Sequence, residues 1–98
     1  MHELYSARKH PEFVVLEIGE EIGALILHAG PEAHGLEIEI DPVDGSTPRT
    51  HTGVHERSTH AGSILTAIFG SLPAGDYVIC DGGEQVTIRD GEVTELRL

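Results

Sequence analysis

The chain has 98 residues, enough for one domain with one core, and 39% of them are hydrophobic. Seventeen Asp and Glu against six Lys and Arg give a formal charge of −11. Such a surface repels phosphate backbones and anionic lipid head groups, so nucleic-acid and membrane binding are disfavoured and attraction to cations or to a basic protein partner is what remains.

Residues 1–12 are polar and read as a flexible tail, leaving 13–98 as a single β domain. The tail lacks the apolar h-region of a signal peptide. The longest apolar run, Ala24 to Leu27, is too short to span a bilayer. Cys80 is the only cysteine, which forbids an internal disulfide. A cytoplasmic protein is expected.

From Phe13 the pattern has a period of two, with Val14, Leu16 and Ile18 alternating with Val15 and Glu17, and predicts a strand. Gly19-Glu20-Glu21 marks a turn. Ile22 to His28 predicts a strand apolar enough to be buried on both faces or central in the sheet. Ala29 to Ala33 is a loop by its Gly-Pro punctuation. Leu36, Ile38 and Ile40 alternate with Glu37, Glu39 and Asp41, as a half-buried strand requires. Pro42 to Pro48 is a loop. Thr50 to Arg57 is β-prone but has Val54 as its one aliphatic, which predicts an edge strand open to self-association or strand addition. Ser63 to Phe69 returns the chain, Leu72 to Asp76 makes a corner, and Tyr77 to Cys80 forms the next strand. Val86 to Ile88 and Val93 to Leu98 flank Asp90-Gly91, a hairpin signal. The inward parity shifts between Val93 and Leu96, which implies a bulge or two-sided burial. Short strands with a turn every 8–12 residues, and no helical periodicity, predict an all-β fold: a two-sheet antiparallel sandwich of seven or eight short strands.

The C-terminal third carries a resemblance. Phe69, Leu72-Pro73-Ala74-Gly75-Asp76-Tyr77-Val78-Ile79, Val86-Thr87-Ile88 and Gly91 to Leu98 resemble the end of a prealbumin-like sandwich, as in carboxypeptidase regulatory-like and Cna-B domains. The resemblance implies an Ig-like two-sheet fold in which the corner feeds a strand and a final hairpin closes the sheet. It implies fold and an accessory, non-catalytic role rather than a reaction. Tyr77 is placed to return its hydroxyl to the backbone upstream, as in a tyrosine corner. The whole chain is also similar to small uncharacterised bacterial proteins loosely called phospholipases, although no catalytic motif in it carries that name.

Histidine is the chemical surplus: His2, His10, His28, His34, His51, His55 and His60. Imidazole suits zinc or copper, so His51, His55 and His60, joined by His28 or His34, are the candidate metal ligands. On a strand His51 and His55 share a face but lie about 13 Å apart at ~3.3 Å per residue, so one ion needs a bend at Gly53 or partners from neighbouring strands. The Met1 amine with the His2 imidazole forms a second candidate copper chelate. The carboxylates Glu37, Glu39 and Asp41, with Asp44 nearby, either keep a strand soluble or attract a hard cation. Cys80, on an alternating apolar strand, is expected to be buried and inert.

No G-x-S-x-G elbow, Walker loop, H-E-x-x-H or paired C-x-x-C is present. Three functions therefore compete. The first is a non-catalytic acidic binding or accessory module, engaging a protein partner or a metal through histidines. The second is a small metal-dependent or His/Asp hydrolase. The third is a pH-responsive interaction domain, since protonating all seven imidazoles near pH ~6.5 adds seven charges to −11 and gives −4.

Overall fold

The computed structural model describes Leu16, residues 18–80 and residues 82–98. The polar tail, His2, His10 and most of the strand predicted from Phe13 lie outside the described residues. Leu16 and Ile18 are half-buried but are not in a strand. The first feature among the described residues is the predicted turn, where Gly19 and Ile22 exchange backbone hydrogen bonds of 3.0 and 3.2 Å around Glu21 at φ +63°.

The fold is all-β. The described residues form seven strands: β1 (Ile22–Ala29), β2 (Glu37–Pro42), β3 (Thr50–Thr59), β4 (Gly62–Pro73), β5 (Gly75–Ile79), β6 (Gln85–Ile88) and β7 (Val93–Arg97). They form one sheet in the order β6-β5-β2-β3-β4-β1-β7, and its two end strands come back into contact, so the sheet is nearly a barrel. Every neighbouring pair is antiparallel except β1 and β7, which run parallel, so the sheet is mixed where an antiparallel arrangement was expected. The core is aliphatic and gathers the inward faces of all seven strands. Leu25, Leu27, Ile40, Val54, Ile79 and Ile88 are at most 1% exposed.

β1 behaves as its unbroken apolar run predicts. It lies between β4 and β7, with Leu25 and Leu27 in the main core and Ala24 and Ile26 buried on the opposite face. β2 alternates as expected, Ile38 and Ile40 facing in. Leu36 does not join them: the strand begins one residue later and Leu36 is 55% exposed.

Thr50 to Arg57 is not an edge. β3 is the middle strand of the seven. Its first half pairs with β2, from Thr50 opposite Ile40 to Gly53 opposite Glu37. Its second half pairs with β4, from Val54 opposite Ala67 to Thr59 opposite Gly62. The strand is weakly apolar because each half has one neighbour and half its residues face solvent, not because it borders the sheet. β3 is therefore not the border strand that the sequence suggested, although each of its halves has a strand neighbour on one side only.

The corner at Pro73 is present. β4 ends there, Ala74 bends, and Gly75 at φ +148° opens β5, a conformation that side-chain-bearing residues rarely adopt. Tyr77 is buried and its hydroxyl donates to the Pro73 carbonyl at 2.6 Å, which ties the strand back to the corner.

The predicted terminal hairpin does not form. β6 pairs with β5 and β7 pairs with β1, so the two strands flanking Asp90-Gly91 stand at opposite ends of the sheet order. A type I′ hairpin turn needs positive φ at both central residues. Gly91 has φ +69°, but Asp90 is not among the residues of positive φ, and Glu92 N–H donates to Arg89 C=O at 3.1 Å. That is the pattern of a type II turn, whose twist splays the flanking strands instead of pairing them. The link therefore carries the chain from one margin of the sheet to the other. The parity shift in β7 resolves as two-sided half-burial, Val93 to Leu96 being all half-buried with no shift in register against β1.

Candidate functional site

The parallel pairing of β7 beside β1 brings together a cluster of charged and polar side chains. Arg97 stands opposite His28 in the register, and Glu95 lies two residues earlier on the same face. His28 Nε2 and Glu95 Oε1 are hydrogen-bonded at 2.7 Å, both side chains being about a quarter exposed. A short 3₁₀ turn, Pro31–Ala33, follows β1 and packs Ala33 against the core. It leaves His34, exposed, at its end. Across from these the β3–β4 hairpin brings Glu56, Ser63, Ile64 and Leu65.

These elements enclose a groove of about 460 Å³ lined by His28, Pro31, His34, Ile64, Leu65 and Arg97, with Ala29, Glu56 and Ser63 completing it. Its volume falls within the range of small-molecule sites, and it joins an apolar wall to a few charged groups in the usual proportion. Among the described residues the Arg97 guanidinium has no hydrogen-bond or ion-pair partner.

Of the five histidines singled out as metal ligands and described here, the structure brings two together. His28 and His34 share the groove. His51 is exposed on β3 and paired with Glu37 across the strand boundary. His55 lies on the same strand, its ring over Gly53, where it fills the space a methyl group would take. His60 sits in the turn after β3. Among the described residues no group of three or more His, Cys, Asp or Glu is placed to hold a metal ion.

The acidic stripe is engaged in cross-strand pairs. Arg49 reaches Glu39 at 3.6 Å and Asp41 at 3.4 Å, and His51 takes Glu37. These pairs are exposed and screened by solvent, so they contribute little to stability. Asp44 accepts from the Ser46 N–H at 2.9 Å, an Asx turn, and its hydrogen bonds to Ser46 hold its carboxyl below the usual range.

Cys80 is exposed, not buried. β5 ends at Ile79, and Tyr77 and Ile79 both face the core, so the next position with the same parity as Val78 points outward. It lines a second hollow, of about 540 Å³, with Asp41, Pro42, Val43, Arg49 and Val78. The proximity of Cys80, then Asp41 and Glu39, raises the Arg49 guanidinium above its ordinary value.

Two charged groove residues, Glu56 and Arg97, and Glu95, the partner of His28, were not singled out by the sequence. Their recruitment depends on which strands pair, and nothing local in Glu95-Leu96-Arg97 signals a parallel neighbour. The only hint was the two-sided pattern of β7. Comparison with protein-family models, with curated proteins and with solved structures found no match to this chain.

Proposed function

We propose that this chain is a small acidic, non-catalytic binding module that holds a partner molecule in the groove at the end of β1. The observation that carries this reading is the convergence of His28, His34 and Arg97 on one groove with an apolar wall. These three side chains come from three separate segments, and the wall comes from a fourth, the β3–β4 hairpin. A prealbumin-like, two-layer arrangement folded about β3 is the fold we assign to the module. The Pro73–Gly75 corner and the Tyr77 bond to Pro73 support it.

A hydrolase is the competing reading, because His28 hydrogen-bonded to Glu95 supplies the residue types of a base and its carboxylate, and Ser63 lines the groove. A nucleophile must lie within hydrogen-bond reach of its base. The register partner of His28 on β4 is Thr66, and Ser63 is three residues away along that strand, about 10 Å at ~3.3 Å per residue. That separation favours binding over acyl transfer.

The test is a nuclear magnetic resonance titration of the full chain with small fragments of differing charge. Saturable shifts are expected to cluster at His28, His34, Ile64, Leu65 and Arg97. Shifts centred on another face would remove the groove as the site. Ester turnover abolished by His28→Ala would overturn the non-catalytic part.

A further inference from the structure

We infer that the groove selects a small organic monocarboxylate with an apolar body, its carboxylate held by Arg97. This deepens the binding reading above and rests on it. The argument starts from charge. At −11 the chain repels anions in general, so an anion site must be built locally against that field. The groove is such a place. It holds a guanidinium without a partner among the described residues, beside an imidazole whose Nε2 is already engaged by Glu95 and a second, exposed imidazole at His34. A planar guanidinium matches a carboxylate fork-to-fork, and a charge-assisted pair of that kind is the strongest polar contact such a groove offers.

The remaining wall sets the body of the ligand. Pro31, Ile64 and Leu65 present apolar surface next to the charged end. The far wall sets the limit. Register partners run Arg97, His28, Thr66, His55 across four adjacent strands, with Glu56 next to His55. Glu56 itself belongs to the next row, opposite Leu65, and lines the same groove. A second carboxylate on the ligand would approach Glu56 and be repelled, so a dicarboxylate is disfavoured.

The test uses hexanoate, adipate, hexylamine and hexanol as probes of the full chain, read by chemical-shift titration. Hexanoate is expected to saturate shifts at Arg97, His28 and Leu65, with hexylamine, hexanol and adipate weaker. Arg97→Gln should weaken hexanoate about ten-fold, the loss expected for one charge-assisted hydrogen-bonded contact, and leave hexanol unchanged. Glu56→Gln should narrow the gap between hexanoate and adipate. If hexanol or hexylamine binds the groove as tightly as hexanoate, or Arg97→Gln leaves hexanoate unaffected, this inference falls while the binding reading stands. If no probe shifts a groove residue, both fall.

Discussion

The two ends of β1 are built in opposite ways. At its start Gly23 is packed so closely that a methyl group would collide with the Arg89 carbonyl oxygen, the Ile88 side chain and the Glu92 carbonyl. The Arg89–Glu92 link is laced to this end by three bonds: Ala24 N–H to Glu92 C=O at 3.0 Å, Gly91 N–H to Ile22 C=O at 3.0 Å, and Glu21 N–H to Asp90 Oδ1 at 2.6 Å. At its other end the same strand opens onto a groove of about 460 Å³ rimmed by side chains with few partners. One end closes the barrel and has no room to vary. The other is supported by the closure and is free to carry chemistry, which is where binding residues accumulate on rigid scaffolds.

The largest expected effect comes from breaking the closed end. Gly23→Val forces bulk into a site bounded by two backbone carbonyls, which cannot rotate away as a side chain can. Overpacking of this kind costs about 1–3 kcal/mol, and the rigid surroundings place this case at the upper end. A urea or thermal melt checks it. A Gly23→Val chain as stable as the parent would show that the corner yields and that the contrast between the ends is overstated.

The contrast also explains what was legible in the sequence. Elements fixed by local pattern were read correctly: the two-sided burial of β1, the alternation of Ile38 and Ile40, and the corner with its Tyr77 bond all follow from residues within a few positions of one another. What depends on distant pairing was not. Asp90-Gly91 carries a hairpin signature, yet the tertiary pull of β1 on β7 and of β5 on β6 outweighs it, and Asp90 stays out of the left-handed region a type I′ turn requires. Thr50 to Arg57 looks like an edge because few of its residues are apolar, but a strand that changes neighbours halfway needs few. Cys80 was misjudged on hydrophobic company alone, although the parity of Tyr77 and Ile79 already pointed it outward. His28 and His34 were flagged for their type. The groove that joins them was not visible, because Arg97 reaches it through the one parallel pair in the sheet.

Tyr77 sharpens the comparison from the corner side. Removing its hydroxyl as Tyr77→Phe loses the 2.6 Å bond to Pro73 and should cost about 0.5–1.5 kcal/mol in a denaturant melt. Burial, aided by Asp44, raises the phenol above its ordinary value. The folded state then keeps its proton at a pH where the unfolded chain has lost it. The associated stability is fully present below the unfolded value near ~10 and falls as pH rises from there toward the folded value. Tyr77→Phe should flatten that alkaline slope. An unchanged slope would assign the alkaline loss to other groups.

A smaller effect is expected from Asp90→Ala. It removes one exposed bond, to the Glu21 N–H, while Gly91 and Glu92 keep theirs to β1. The loss should lie near ~0.5 kcal/mol, the low end for a single hydrogen bond, because water replaces the carboxylate at the surface. A loss as large as that of Gly23→Val would mean that the corner is held by its side chain rather than by its fit against β1.

The smallest expected effect on stability lies at the open end, and it is the most informative. His34 is exposed and follows a turn whose own hydrogen bond, His34 N–H to Pro31 C=O at 3.1 Å, is made by backbone. His34→Ala leaves that bond in place and should shift stability by no more than about 0.5 kcal/mol, as for surface positions generally. Fragment shifts at the neighbouring groove residues should nevertheless weaken, because one of the three cation-capable side chains is gone. Stability retained with binding lost is the signature of a side chain kept for recognition. Stability and binding lost together would instead make His34 part of the packing that holds the 3₁₀ turn over the core, and the division between a closed end and a working end would move inward to His28 and Arg97.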